Sequence, residues 1–140
     1  MDDPGVRGLF DAADAYGLSI YAHENYHALD VREFARKDVV LLVARSDAGE
    51  AIGMVALNVP TAEIKRMFVA PEARGTGLGR RLLEAVEAAA RDRGIPILRL
   101  ETGEPQTAAV ALYEAAGYRR IPAFGEYVDD PTSVCMQKPL

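Results

Sequence analysis

The sequence predicts an α/β domain built on a mixed sheet, and three observations carry that prediction. Apolar residues recur at helical spacing in the first third of the chain and at strand spacing in the middle. Two short apolar runs, joined by Ser46-Asp47-Ala48-Gly49, read as a hairpin. Beyond residue 62 the order is strand, helix, strand, helix, strand. With 140 residues the chain has the length of one compact domain, 1–140, and can bury a core of its own.

Each element follows from local chemistry. Leu9, Phe10, Ala13 and Tyr16 lie at helical spacing, with Gly17 as a stop. A connection from Ser19 to Ala28 follows, and Asp30 is placed to cap a short second helix carrying Val31, Phe34 and Ala35. Val39 to Ala44 and Ala51 to Leu57 are too short for helices and form the hairpin. After a turn at 58–61, residues 62–69 (AEIKRMFV) make a third strand; strict alternation puts Ile64 and Phe68 on one face and Glu63 and Met67 on the other. The next helix buries Leu78, Leu82, Val86 and Ala89, with Leu83 and Ala90 widening the stripe, and ends at Gly94 before Pro96. Residues 97–101 are a strand, 107–116 a helix stopped by Gly117, and 118–121 and 133–137 late strands around a loop rich in Pro, Gly, Tyr and Asp.

Composition narrows the function classes. At 49% hydrophobic and 26% charged residues the chain is globular rather than disordered. A net charge of −5 argues against a general nucleic-acid binder. No apolar run approaches the ~18 residues of a membrane span, and MDDPGVRGLF lacks a signal-peptide layout. The single cysteine, Cys135, cannot form an internal disulfide, so a reducing, cytoplasmic setting is expected.

The most informative stretch is strand AEIKRMFV, then Arg74-Gly75-Thr76-Gly77-Leu78-Gly79, then a helix. Glycines let backbone approach a ligand, and a helix N-terminus offers unpaired N–H groups and the positive end of the dipole. With Arg74, Arg80 and Arg81 beside it, the corner suits a phosphate or pyrophosphate. It does not match the P-loop spacing, because Arg80 and Arg81 follow Gly79. It is also Gly-x-Gly-x-Gly where a dinucleotide fold wants Gly-x-Gly-x-x-Gly. Glu101 nonetheless lies about the right distance on, which keeps that alternative open.

Strand–Val69-x-Pro71-x-x-Arg74-Gly75-x-Gly77-x-Gly79–helix, followed by a strand and Leu112-Tyr113-Glu114-Ala115-Ala116-Gly117-Tyr118, resembles the GNAT superfamily of acyl-CoA-dependent N-acyltransferases. The likeness covers roughly residues 39 to 140 closely and the first third by layout. Leu100-Glu101-Thr102-Gly103, Gly125-Glu126-Tyr127 and Asp129-Asp130-Pro131 resemble one bacterial branch of small members. The resemblance implies a GNAT-like twisted mixed sheet, flanked by helices and splayed between strands 62–69 and 97–101. Acetyl-CoA enters that gap as co-substrate, and no metal is required.

The resemblance also assigns roles. Transfer of acetyl to an amine needs a base, an oxyanion donor and an acid for the thiolate. Glu63 holds the position of a catalytic glutamate in several members; its plainer reading is a strand acid paired with Lys65 or Arg66. Tyr113 stands at the thiolate-facing tyrosine, with Leu112 and Ala116 serving the core while Tyr113 points toward the gap. The backbone N–H of Met67, freed by a bulge, is the oxyanion donor, and Phe68 and Val69 pair with pantetheine. Arg74, Gly75, Thr76, Gly77, Leu78, Gly79 and Arg80 hold the pyrophosphate. Gln106 stands where the family often has Asn on the pantetheine arm.

Other residues have simpler explanations. His23 and His27 flank Glu24 in a loop that covers the acceptor site in the family, and no third metal ligand is evident. Cys135 reads as a small buried strand residue. Glu126, Asp129 and Asp130 form an acidic loop which, with Glu63, leans toward a cationic acceptor. The expected activity is acetyl transfer to a primary amine of a small molecule, without nucleic-acid or membrane partners; a homodimer is carried as analogy only. The alternatives are a non-catalytic acyl-CoA-binding or regulatory domain and an unrelated nucleotide-binding α/β domain.

Overall fold

The computed structural model describes residues 4, 5, 7–9, 11, 38–103 and 107–140. Six strands form one sheet: β1 (Val39–Arg45), β2 (Ala51–Asn58), β3 (Glu63–Val69), β4 (Ile97–Gly103), β5 (Arg119–Ile121) and β6 (Ser133–Pro139). Their order across the sheet is β1-β2-β3-β4-β6-β5. Two α-helices, α1 (Leu78–Asp92) and α2 (Thr107–Ala115), fill the connections after β3 and β4. The helical reading of the extreme N-terminus holds at the described positions, among which Leu9 is buried. The proposed second helix, His23, His27 and Gln106 lie outside the described residues.

The β1–β2 hairpin closes as its turn residues dictate. Gly49 takes φ +85° and donates to the Ser46 carbonyl at 2.8 Å, while the Ser46 N–H donates to the Glu50 carbonyl. β2 pairs antiparallel with β3. β3 and β4 are parallel, and each is seven residues long, yet they stay in register only at Glu63↔Arg99 and Ile64↔Leu100. Past those pairs the strands part, which is the expected splay.

Strict alternation fails along β3. Met54 faces Phe68 and Ala56 faces Lys65, so Arg66 and Met67 together oppose Val55. This one-residue bulge is accompanied by a left-handed Arg66, at φ +54°. Because side chains alternate with a period of two, one extra residue exchanges the two faces for the rest of the strand. Ile64 therefore packs into the core under α1 and α2, whereas Phe68 joins Leu9, Met54, Ala56 and Ala70 on the opposite face. Glu63 and Lys65 lie on the Phe68 side, and Met67 packs against the helical core instead. The expected sharing of faces by Ile64 with Phe68, and by Glu63 with Met67, is thus corrected.

The main core lies between the sheet and the two helices. Leu82, Leu83, Val86 and Ala90 of α1 meet Val55, Leu57, Leu98 and Leu100. Full burial of each such leucine or valine contributes about 1.5–3 kcal/mol. Gly53 brings α1 close: a Cβ there would meet Leu78 and Leu82 side-chain carbons at 3.1 Å and the Phe68 carbonyl at 3.3 Å.

Candidate active site

The bulge sits where β3 leaves β4, so strand geometry and cleft coincide. Arg66 and Met67 occupy the extra position, and Phe68 and Val69 resume pairing with Met54 and Gly53. A bulge leaves the ladder locally disrupted, and this one follows the last register pair between β3 and β4, Ile64↔Leu100.

The glycine loop closes the same end. From Val69 the chain passes through a 3-10 turn at Pro71–Ala73, and Gly75 and Gly77 take φ +78° and +83°. Gly77 caps α1, and no side chain caps that end. A Cβ at Gly75 or Gly77 would meet nothing within 4 Å, so the left-handed conformation and open space around the loop are what those positions provide. Gly79 differs: a Cβ there would lie 3.0 Å from Leu112, so its smallness lets α1 approach α2. Arg74 folds back, its Nε donating to the Val69 carbonyl at 3.1 Å and its guanidinium 5.6 Å from the Phe68 ring. Thr76 Oγ1 donates to the Ala73 carbonyl. Arg80 lines a surface pocket with Glu84, Glu87, Arg91 and Lys138. The uncapped helix end, open glycines and neighbouring arginine fit a pyrophosphate.

The other side of the cleft is a charged floor. Bridge partners share a face, so Glu63, Lys65, Arg99, Glu101, Cys135 and Gln137 all lie on the side away from α1. Glu63 is only 8% exposed. Its Oε2 accepts the Tyr127 hydroxyl at 3.0 Å and lies 3.4 Å from Lys65 Nζ, which also donates to Tyr127. The Lys65 ammonium stands 5.0 Å from the Tyr127 ring centroid. Phe124 meets Tyr127 edge-on and carries the Arg99 guanidinium over its ring. Glu101 accepts from Ser133 Oγ at 2.7 Å. Burial pushes the Cys135 thiol up; Glu101 and Glu63 act the same way, against a backbone hydrogen bond from Phe124. Buried Cys135 is therefore a strand residue, as expected. Asp130 Oδ1 accepts from the Thr132 N–H and hydroxyl, which makes it a fastener of its own turn.

Tyr113 occupies the helix expected of it but divides the work differently. It is 6% exposed and belongs to the main core, whereas Leu112 and Ala116 are only partly buried. The tight end of α2 brings Tyr118 beside Tyr113. Gly117 at φ +101° turns the chain so that the Tyr118 N–H reaches the Tyr113 carbonyl at 2.9 Å. The two rings then meet edge-on, with centroids 6.0 Å apart. Tyr118 donates to Glu87 at 2.9 Å, and Lys138 pairs with the same carboxylate at 3.0 Å. Burial first, then the Glu87 charge and hydrogen bond, pushes the Tyr118 hydroxyl far up.

The sequence reading gave two contributors no role in the site. Tyr127 appeared only within the motif Gly125-Glu126-Tyr127; it is 64 residues from Glu63, and no local pattern joins them. Lys65 appeared only in the plainer reading of Glu63 as a paired strand acid; the i, i+2 spacing was the signal that they share a face. Among the described residues no group of three His, Cys, Asp or Glu side chains converges to hold a metal ion. Among them, too, no helix is long and apolar enough to cross a membrane.

Comparison with known proteins agrees with this geometry. The family model described as Acetyltransferase (GNAT) family matches residues 7–118. An IAA acetyltransferase of Azospirillum brasilense is 43% identical over 139 residues, which span 96% of this chain and 90% of that protein. A solved Klebsiella pneumoniae protein, assigned as an acyl-CoA N-acyltransferase, is 39% identical with a TM-score of 0.82, covering 99% of this chain and 92% of that one. The PaiA N-acetyltransferase of Thermoplasma acidophilum, solved with coenzyme A, shares the fold at 19% identity, with a TM-score of 0.74, covering 97% of this chain and 91% of that one.

Proposed function

The chain belongs to the GNAT acetyltransferase family and is a transferase, and from that premise we propose that it moves acetyl from acetyl-CoA to a primary amine of a small molecule by direct attack. The observation that carries this reading is the bulge at Arg66–Met67, placed where β3 departs from β4. Family membership sets aside the unrelated nucleotide-binding fold.

Each role rests on position. The loop Arg74, Gly75, Thr76, Gly77, Leu78, Gly79 and Arg80 holds the pyrophosphate, with Phe68 and Val69 backbone groups along the pantetheine. Glu63 takes the proton from the acceptor amine, directly or through water. The Met67 N–H donates to the thioester oxygen as it gains charge. The new C–N bond forms, the C–S bond breaks, and the Tyr113 hydroxyl supplies the thiolate's proton. Tyr127 aims the Glu63 carboxylate by its 3.0 Å hydrogen bond. The reading includes one acetyltransferase domain over 1–140, a cytoplasmic setting, no metal and, by analogy, a homodimer. By the same resemblance, Gln106 is assigned to the pantetheine arm.

Release of free thiol from acetyl-CoA across a panel of amines tests the activity. Glu63→Gln and Tyr113→Phe should each lower kcat by about 10²–10⁴ while acetyl-CoA still raises Tm. Unchanged turnover in both variants removes these assignments.

A further inference from the structure

Apart from tyrosines and Cys135, the buried polar or charged side chains among the described residues are Glu63, Arg66, Glu87 and Thr102. Glu63 accepts from Tyr127, Glu87 accepts from Tyr118 and Lys138, and Arg66 is also engaged. The Thr102 hydroxyl makes no hydrogen bond among the described residues, although the residue is only 5% exposed. β4 runs in unbroken register with β6, so Thr102 shares the face of Leu98 and Leu100, and its ladder partner Val134 lies in the core under the helices. β3 stays in register with β4 only as far as Leu100. Thr102 therefore stands two residues past the parting, on the β4 lip of the gap. On the β3 lip Met67 packs toward the same helical core, to which Tyr113 of α2 also belongs.

Threonine suits a strand, but on a buried face valine has the same shape and no hydroxyl to desolvate. A hydroxyl kept there without a protein partner costs stability unless something outside the chain bonds to it. This one is not sealed in. Among the described residues only Asp38 Oδ1 is both enclosed and unpartnered, so the Thr102 oxygen keeps some accessible surface. Beside it the sheet is open, because β3 has departed. We propose that Thr102 is a further cofactor-binding residue, whose hydroxyl hydrogen-bonds an amide of the pantetheine arm in the gap. This rests on the acetyl-CoA cleft of the reading above and adds a side chain where Phe68 and Val69 offer backbone groups. A hydroxyl both donates and accepts, so it can meet either the N–H or the carbonyl of a secondary amide.

Coenzyme A binding, measured by calorimetry, tests this without an acceptor. Thr102→Val keeps the shape and removes the hydroxyl, so its Tm without ligand should equal or exceed that of the wild type. Its Kd for coenzyme A should rise about 3–10-fold, the net worth of one hydrogen bond. Thr102→Ser keeps the hydroxyl and should bind coenzyme A more tightly than Thr102→Val. The nucleotide half of coenzyme A without the arm, 3′-phospho-ADP, should bind wild type and Thr102→Val alike; where it binds too weakly to measure, the coenzyme A ratio decides. A Thr102→Val protein that binds coenzyme A as tightly as wild type overturns the proposal. So does one with a lower Tm, because the hydroxyl would then have a partner within the protein. Equal losses for 3′-phospho-ADP, or for Thr102→Ser, overturn it as well. Coenzyme A binding without acetyl transfer to any amine would remove the acetyl-transfer reading and leave the Thr102 contact standing; no binding of coenzyme A by the wild type removes both.

Discussion

At the scale of single residues, the hydroxyl of Tyr127 is the group that fixes Glu63 in a buried place. Tyr127→Phe removes one donor from a buried carboxylate and should cost about 1–3 kcal/mol of stability, read by urea unfolding. Cys135 is buried with its thiol pushed up, so it should resist alkylation in the native protein at pH 8 and react after unfolding; rapid native labelling would contradict its placement. Tyr118 gives a pH-dependent prediction. Its folded-state pKa is raised, so its contribution is present below the ordinary tyrosine value of about 10 and is lost as pH rises above it. Wild type should therefore lose stability more steeply than Tyr118→Phe between about pH 10 and 11.

Among the elements, the bulged β3 matters most, because it presents Glu63 and Lys65 to one side and Met67 to the other. The extra residue cannot be seen in the alternation of AEIKRMFV: a regular strand and a bulged one contain the same letters. Helix α1 was legible, because Leu78, Leu82, Leu83, Val86 and Ala90 repeat at helical spacing and are buried, although Ala89 of the expected stripe is only half-buried and Glu87 is buried with them. What its sequence did not disclose was how close it comes to β2. Gly53→Ala places a methyl against Leu78, Leu82 and the Phe68 carbonyl, and should destabilise by about 1–3 kcal/mol in thermal or urea unfolding. Gly77→Ala meets no neighbour, and should cost about 1–2 kcal/mol through its φ of +83° alone. Because that glycine starts the helix at the proposed pyrophosphate corner, the same variant should also weaken the acetyl-CoA-induced rise in Tm.

The whole molecule is a sheet parted in the middle. β1, β2 and β3 form one antiparallel set and β4, β6 and β5 another, joined by two register pairs and by the core under α1 and α2. A ligand inserted in the gap bridges the halves. Acetyl-CoA at about 100 times its Kd should add roughly 2.7 kcal/mol, on the order of 5–10 °C in Tm. Hydrogen exchange should slow at residues 65–69 and 101–103 on binding, more than in the β1–β2 hairpin, which is paired throughout. Equal protection everywhere would mean that the cofactor does not enter between β3 and β4.

The sequence by itself determined the α/β plan and the glycine corner, through local spacing and a contiguous motif, while the splay and the candidate base, Glu63, came from the family likeness of those motifs. Its net charge of −5, however, pointed toward a cationic acceptor. Only the tertiary structure decided which charges stand together. A one-residue bulge reverses faces, β4 brings Arg99 and Glu101 beside β3, and a loop more than 60 residues away in sequence lays Tyr127 over Glu63. Those contacts are long-range, and composition and periodicity report only what neighbours in the chain share. The tertiary arrangement therefore turns an acidic protein into one with a locally neutral, alternating floor at its candidate acceptor site.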